Sequence, residues 1–185
     1  MSNDPGTPSK SLTWNKIYFY HNMKTRDLYY SQLLRVVVTI IILYLFVPLF
    51  VKIILIMISD LLDCTVSFHT MFFRKWVGCE SAAYQLSDKI TDSICYTILL
   101  FYILNHGGLS AFDNYVLIGL LLYRFIGTYF FSKEGNRKYL FYFPNFFLEM
   151  ALLFATVDYF NLPHKYGLMS LVVIYKFVQE YVMHY

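Results

Sequence analysis

The chain has 185 residues, of which 58% are hydrophobic, 21% aromatic and only 15% charged, with a formal net charge of +3. A soluble domain carries about a quarter charged residues, so the composition argues against a water-soluble enzyme and for helices that cross a bilayer, with tyrosines enriched at its surfaces. The positive charge is too small and too scattered for a nucleic-acid binder, and Cys64, Cys79 and Cys95 lack zinc-finger spacing and are expected to be reduced thiols.

Residues 1–12 are polar, with two prolines and a glycine, and are expected to be disordered. Residues 13–33 mix Trp14, Tyr18, Tyr29 and Tyr30 with Lys16, Lys24 and Arg26, the composition of a juxtamembrane segment in the headgroup region. Residues 1–33 therefore form an N-terminal juxtamembrane unit, and 34–185 an integral membrane helical domain. About 20 apolar residues suffice to cross a membrane, so residues 34–58 are read as the first span, with a kink at Pro48. Lys52 either snorkels from near a helix end or faces the acids two turns on.

Residues 64–87 include His69, Arg74, Lys75 and Trp76 and read as an interfacial or re-entrant piece. Further spans are expected at about 89–105, 115–131, 139–160 and 166–183, separated by turns such as Asn105-His106-Gly107-Gly108. The predicted fold is thus all-α, a polytopic membrane bundle of about five transmembrane helices. Arg124, Glu149, Lys176 and Glu180 fall inside these runs, where a lone charge is costly. Arg124 is expected to pair with Glu149 or Glu180.

Four of the aspartates form two close pairs, Asp60 with Asp63 and Asp88 with Asp92. Residues three and four apart share a helix face, so each pair projects its carboxylates one way. If the linker turns the chain back, all four meet in one cavity at the membrane surface, where hard cations such as Mg²⁺ or Mn²⁺ would relieve their repulsion. The same residues also suit solvated helix ends, with Ser87 as an N-cap.

The pattern resembles the signature of the CDP-alcohol phosphatidyltransferases, D-x-x-D-G-x-x-A-R followed by G-x-x-x-D-x-x-x-D. Asp60, Asp63, Asp88 and Asp92 stand at its four aspartates, while Cys64, Ser67, Phe68 and Tyr84 replace its first glycine, alanine, arginine and second glycine. The resemblance implies Asp60, Asp63 and Asp88 as ligands of a one- or two-metal Mg²⁺ or Mn²⁺ centre and Asp92 as general base. It implies a membrane enzyme of phospholipid synthesis that moves a phosphatidyl or phosphoalcohol group from a CDP-activated donor to a hydroxyl acceptor. It also implies six spans, one more than the five apolar runs. Arg74 and Lys75 are the candidate diphosphate-binding cations, with anionic lipid headgroups as the alternative contact. A non-catalytic structural or lipid-binding protein on the same bundle stays open, as does a transporter or channel. The expected partners are membrane lipid, a CDP-linked donor and a second copy in a homodimer.

Overall fold

A computed structural model describes residues 25–63, 82–106, 108–135, 139 and 142–184. Among the described residues the chain forms six helices and no strand: α1 (Thr25–Leu43), α2 (Leu49–Asp63), α3 (Ala82–His106), α4 (Ala111–Glu134), α5 (Phe147–Phe160) and α6 (Lys165–His184). The all-helical expectation holds. Residues 1–24, Arg74 and Lys75, His69, Cys64 and Cys79 lie outside the described residues, so the readings placed on them go no further here.

The expected first span, 34–58, is two helices rather than one kinked helix. Pro48 disfavours helical geometry at the residue before it and has no amide proton to continue the ladder. The chain closes α1 with short turns, Tyr44 N–H to Ile41 O and Leu45 N–H to Ile42 O. It then restarts at Pro48, whose carbonyl accepts from Val51 and Lys52. Lys52 neither snorkels nor faces the acids. It is buried, and its Nζ donates to Leu43 O at 2.7 Å and to Tyr102 Oη at 2.6 Å. A cation on an orphan carbonyl at a helix C-terminus is favourable, so Lys52 ties the end of α1 to α2 and α3.

Two further boundaries move. The N-terminal basic-aromatic stretch gives up its last residues to α1, which starts at Thr25. The expected fourth span, 139–160, is interrupted: Tyr139 and Tyr142 are helical, residues 143–146, including Pro144, are not, and α5 starts only at Phe147. Ser87, offered as an N-cap, lies inside α3, which starts at Ala82 rather than at about 89. Ser110 caps α4 in a reciprocal box with Asp113, and Gly135 ends it in the left-handed conformation (φ 66°).

Packing follows chain order with two longer-range additions: α1 lies against α2 and α3, α3 against α4, α4 and α6 against α5, and α2 against α5. Ile53, Tyr96, Leu99, Ile103, Leu117, Phe147 and Phe154 form the centre of the core. Outward faces stay apolar on every helix from α1 to α6, for example Ile41, Ile58, Phe101, Leu122, Tyr159 and Ile174. Only α4 is both long and apolar enough to cross a membrane among the described residues, and residues 32–43 of α1 make a shorter apolar helix. The five-span arrangement is therefore not what the helices display.

Gly127 lets α4 approach the segment before α5. A Cβ there would sit 2.3 Å from Phe143 Cβ and 2.9 Å from its Cγ. Since the obstacle is the root of a side chain, Gly127→Ala should destabilise the fold by about 1–3 kcal/mol. A thermal melt in detergent matching the native chain would show that this contact is not made.

Candidate functional site

Three of the four singled-out aspartates come together. Asp60 arrives from the last turn of α2, Asp88 and Asp92 from the first half of α3, and one oxygen from each lies within 4.8 Å of the others. The side chain of Asp63 lies outside the described residues. The i,i+4 spacing places Asp88 and Asp92 on the face of α3 that continues into Cys95, Tyr96 and Leu99, all buried.

The carboxylates do not line an empty cavity; they surround Arg35 from α1. Its guanidinium meets Asp88 Oδ1 at 3.0 Å through Nη1 and Asp92 Oδ1 at 2.5 Å through Nη2, which also pairs with Asp60. Lys89 adds a second cation, 2.6 Å from Asp88 Oδ2 and 3.4 Å from Asp92 Oδ2. Arg124 adds a third from α4, with Nη2 at 3.6 Å from Asp92 Oδ2. Arg35, Asp92 and Arg124 are each at most 5% exposed, so these charges depend on one another rather than on water.

Arg124 thus has an acidic partner, but not the expected one. Glu149 pairs instead with Lys176 at 2.7 Å, and the side chain of Glu180 lies outside the described residues. Periodicity could not distinguish these pairings, since each joins different helices. Arg35 was missed as a site residue because it opens an apolar run and reads as a border charge. A usable signal was present: Gln32, Arg35 and Thr39 recur at helical spacing, and all three are buried. Thr39 Oγ1 reaches back to Arg35 O at 2.9 Å and Cys95 Sγ at 3.5 Å, fixing α1 against α3.

The acids at the cluster's outer edge are perturbed. Burial, reinforced by the charge of Asp92 and opposed by Arg35, holds the Asp60 carboxyl up at about 7 from its usual 3.8. Asp88 is pushed up by burial and by Asp92, against the pull of Lys89 and Arg35. A carboxyl whose folded pKa exceeds its unfolded value contributes stability that is complete below the unfolded pKa and is lost as pH rises through the folded one. The metal-free protein should therefore melt lower at about pH 8 than at about pH 5, and Asp60→Asn should flatten the difference. Melting curves of both proteins at the two pH values check this.

The donor set, three carboxylates brought together from two helices, suits a hard divalent cation in kind. The centre of that set is held by a guanidinium, so a metal would have to share the carboxylates with Arg35 or displace it. No family model, curated protein or solved structure matches the chain.

Proposed function

We propose that this chain is a divergent, divalent-metal-dependent membrane transferase that resembles the CDP-alcohol phosphatidyltransferases and moves a phosphatidyl or phosphoalcohol group from a CDP-linked donor to a hydroxyl acceptor. The observation that carries the reading is the convergence of Asp60, Asp88 and Asp92 within 4.8 Å from separate helices. Acids gathered with two of them held above their usual range are acids that an added cation would relieve. The break at Pro48 gives six helices among the described residues, as many as the spans the resemblance implies, and of these α4 alone is long and apolar enough to cross a membrane.

A multi-pass arrangement belongs to the proposal. Apolar residues face outward along all six helices, a surface that suits lipid far better than water. The helices would cross by their apolar parts, leaving Asp60 and Asp88 at one membrane surface. Asp60, Asp63 and Asp88 would hold Mg²⁺ or Mn²⁺, and the metal would supply charge stabilisation at the phosphoryl oxygens. Asp92 would take the acceptor's proton, which requires its grip on Arg35 to loosen, because a carboxylate inside three cations is a weak base. Arg74 and Lys75 stay with the proposal as diphosphate-binding cations.

Arg35 favours a second reading, a non-catalytic bundle in which the cations neutralise the acids without metal. The charges behind a transporter reading are engaged in pairs, Glu149 with Lys176 and Arg124 with Asp92. Mn²⁺ titration followed by electron paramagnetic resonance in detergent separates the first two. The transferase reading expects tight binding by the native chain and its loss in Asp63→Asn with Asp88→Asn. It also expects Asp92→Asn to fold and yet lose about a hundredfold or more in CMP release from CDP-diacylglycerol. Equal Mn²⁺ binding by native and variant chains would leave the structural reading.

A further inference from the structure

Two ion pairs tie α6 to the rest of the bundle, and together they fix its level. Lys165, at the start of α6, meets Asp113, at the start of α4. Eleven residues on from each, about 16 Å along either helix, stand Lys176 and Arg124. Both reach the entry to α5: Lys176 Nζ is 2.7 Å from Glu149 Oε1, and Arg124 Nη1 lies 3.4 Å from Phe143 O. Tyr96 of α3 reaches the same segment, where its hydroxyl accepts a 2.7 Å hydrogen bond from Asn145 Nδ2. With Asp92 on Arg124, one polar layer therefore crosses the bundle from α3 to α6.

The layer is short of hydrogen bonds. Arg124 is 4% exposed, yet its Nε has no hydrogen-bond partner among the described residues, and neither have the buried Asn145 Oδ1 and Glu149 Oε2. A buried polar atom without a partner has given up its hydration for nothing in return. The chemistry of these atoms selects an occupant. One is a donor and two are acceptors, so the ligand must both give and accept hydrogen bonds. Opposite charges already meet in the layer, Arg124 with Asp92 and Lys176 with Glu149, which removes the reason for an ion. An apolar occupant would leave all three atoms unpaired. Water gives and accepts, and it is held in protein interiors by two to four polar partners of this kind.

We infer that ordered water is bound between Arg124, Asn145 and Glu149 and joins the Asp92–Arg124 pair to the Glu149–Lys176 pair in one network. Asn145 is the positioning residue of this site, because Tyr96 holds its amide nitrogen and leaves its carbonyl for the water. Among the described residues of α6 only Lys176 is buried. The seating of α6 and the environment of Asp92 therefore depend on the same water. The site goes beyond the transferase reading and stands with or without a metal at the acids.

The test uses the full chain in detergent with ¹⁵N-labelled arginine. Magnetic cross-relaxation with water is measured at the Arg124 Nε–H, whose resonance is assigned by its loss in Arg124→Lys. In the rotating frame, dipolar contact with bound water and simple proton exchange have opposite signs and are told apart. The native chain should show a dipolar water peak at Arg124 Nε–H. Asn145→Leu replaces the carbonyl with apolar bulk of similar size and should abolish that peak. Glu149→Gln keeps an acceptor oxygen, so it should keep the peak while shifting the Arg124 resonance through the shared water. A native Nε–H without a dipolar water peak would overturn the inference, and so would a peak indifferent to Asn145→Leu. An Arg124 resonance unmoved by Glu149→Gln would overturn the joining of the two ion pairs. If Asn145→Leu fails to fold, the native peak and Glu149→Gln decide alone.

Discussion

Arg35→Met should cost about 3–5 kcal/mol of stability, because removing one partner of a buried ion pair leaves its partners charged and unpaired. Here the loss falls on three carboxylates at once. Among the described residues, Asp92, 3% exposed, keeps Lys89 at 3.4 Å and Arg124 at 3.6 Å, while Asp60 loses its guanidinium contact. Adding Asp92→Asn to Arg35→Met should recover part of the loss, since it removes the most deeply buried of the orphaned charges. The same variant also probes the metal reading. With the guanidinium gone, the carboxylates are open to a cation, and Mn²⁺ should raise the variant's melting temperature more than the native chain's. Thermal melts in detergent, with and without Mn²⁺, measure both effects. A variant as stable as the native chain would show that Arg35 does not hold the acids together.

Lys165→Met should produce a loss of similar size, about 3–5 kcal/mol, at the other end of the bundle. Asp113 sits in the first turn of α4, fully buried, with its carboxylate 2.5 Å from Lys165 Nζ and 2.8 Å from Ser110 Oγ. Lys165 opens α6 and also lies over the Phe154 ring at 5.0 Å. Without it the capping box remains, but a buried carboxylate loses its cation and α6 loses its tie to α4. Asp113→Asn placed on top should restore much of the stability, because an amide keeps the hydrogen bond to Ser110 without the charge. Equal melting of Lys165→Met and the native chain would mean that the pair is solvated.

The two losses differ in how well the sequence foretold them. The acid pairs were visible from spacing, and the meeting of Asp60 with Asp88 and Asp92 followed once the linker was taken to return the chain. Asp113 and Lys165 carried no such signal. Asp113 reads as an ordinary N-terminal helix acid and Lys165 as a turn residue, and nothing local joins them. Lys52 is a similar case, since its partners Leu43 O and Tyr102 Oη come from two other helices. The break at 44–48 was half visible. Pro48 marked the place, but a proline inside an apolar run can kink a helix or end it. The first helix ends at Leu43, and Lys52 reaches its free carbonyl there.

By itself, the sequence determined what local periodicity and composition control. It made the described chain helical, put Asp88 and Asp92 on one face, stopped α4 at Gly135 and left apolar side chains in excess of what the six helices bury among themselves. These features depend on residues three or four apart and on backbone preferences, so they can be read without knowing where any helix lies. Only the tertiary structure decided which charge meets which. Arg35 took the place among the acids where a metal was expected, Arg124 joined Asp92 instead of Glu149, and Lys176 joined Glu149. Each of those choices turns on a few ångströms of approach between helices distant in sequence. Buried charges are stabilised by the partners actually within reach, and that reach is set by packing, not by spacing along the chain.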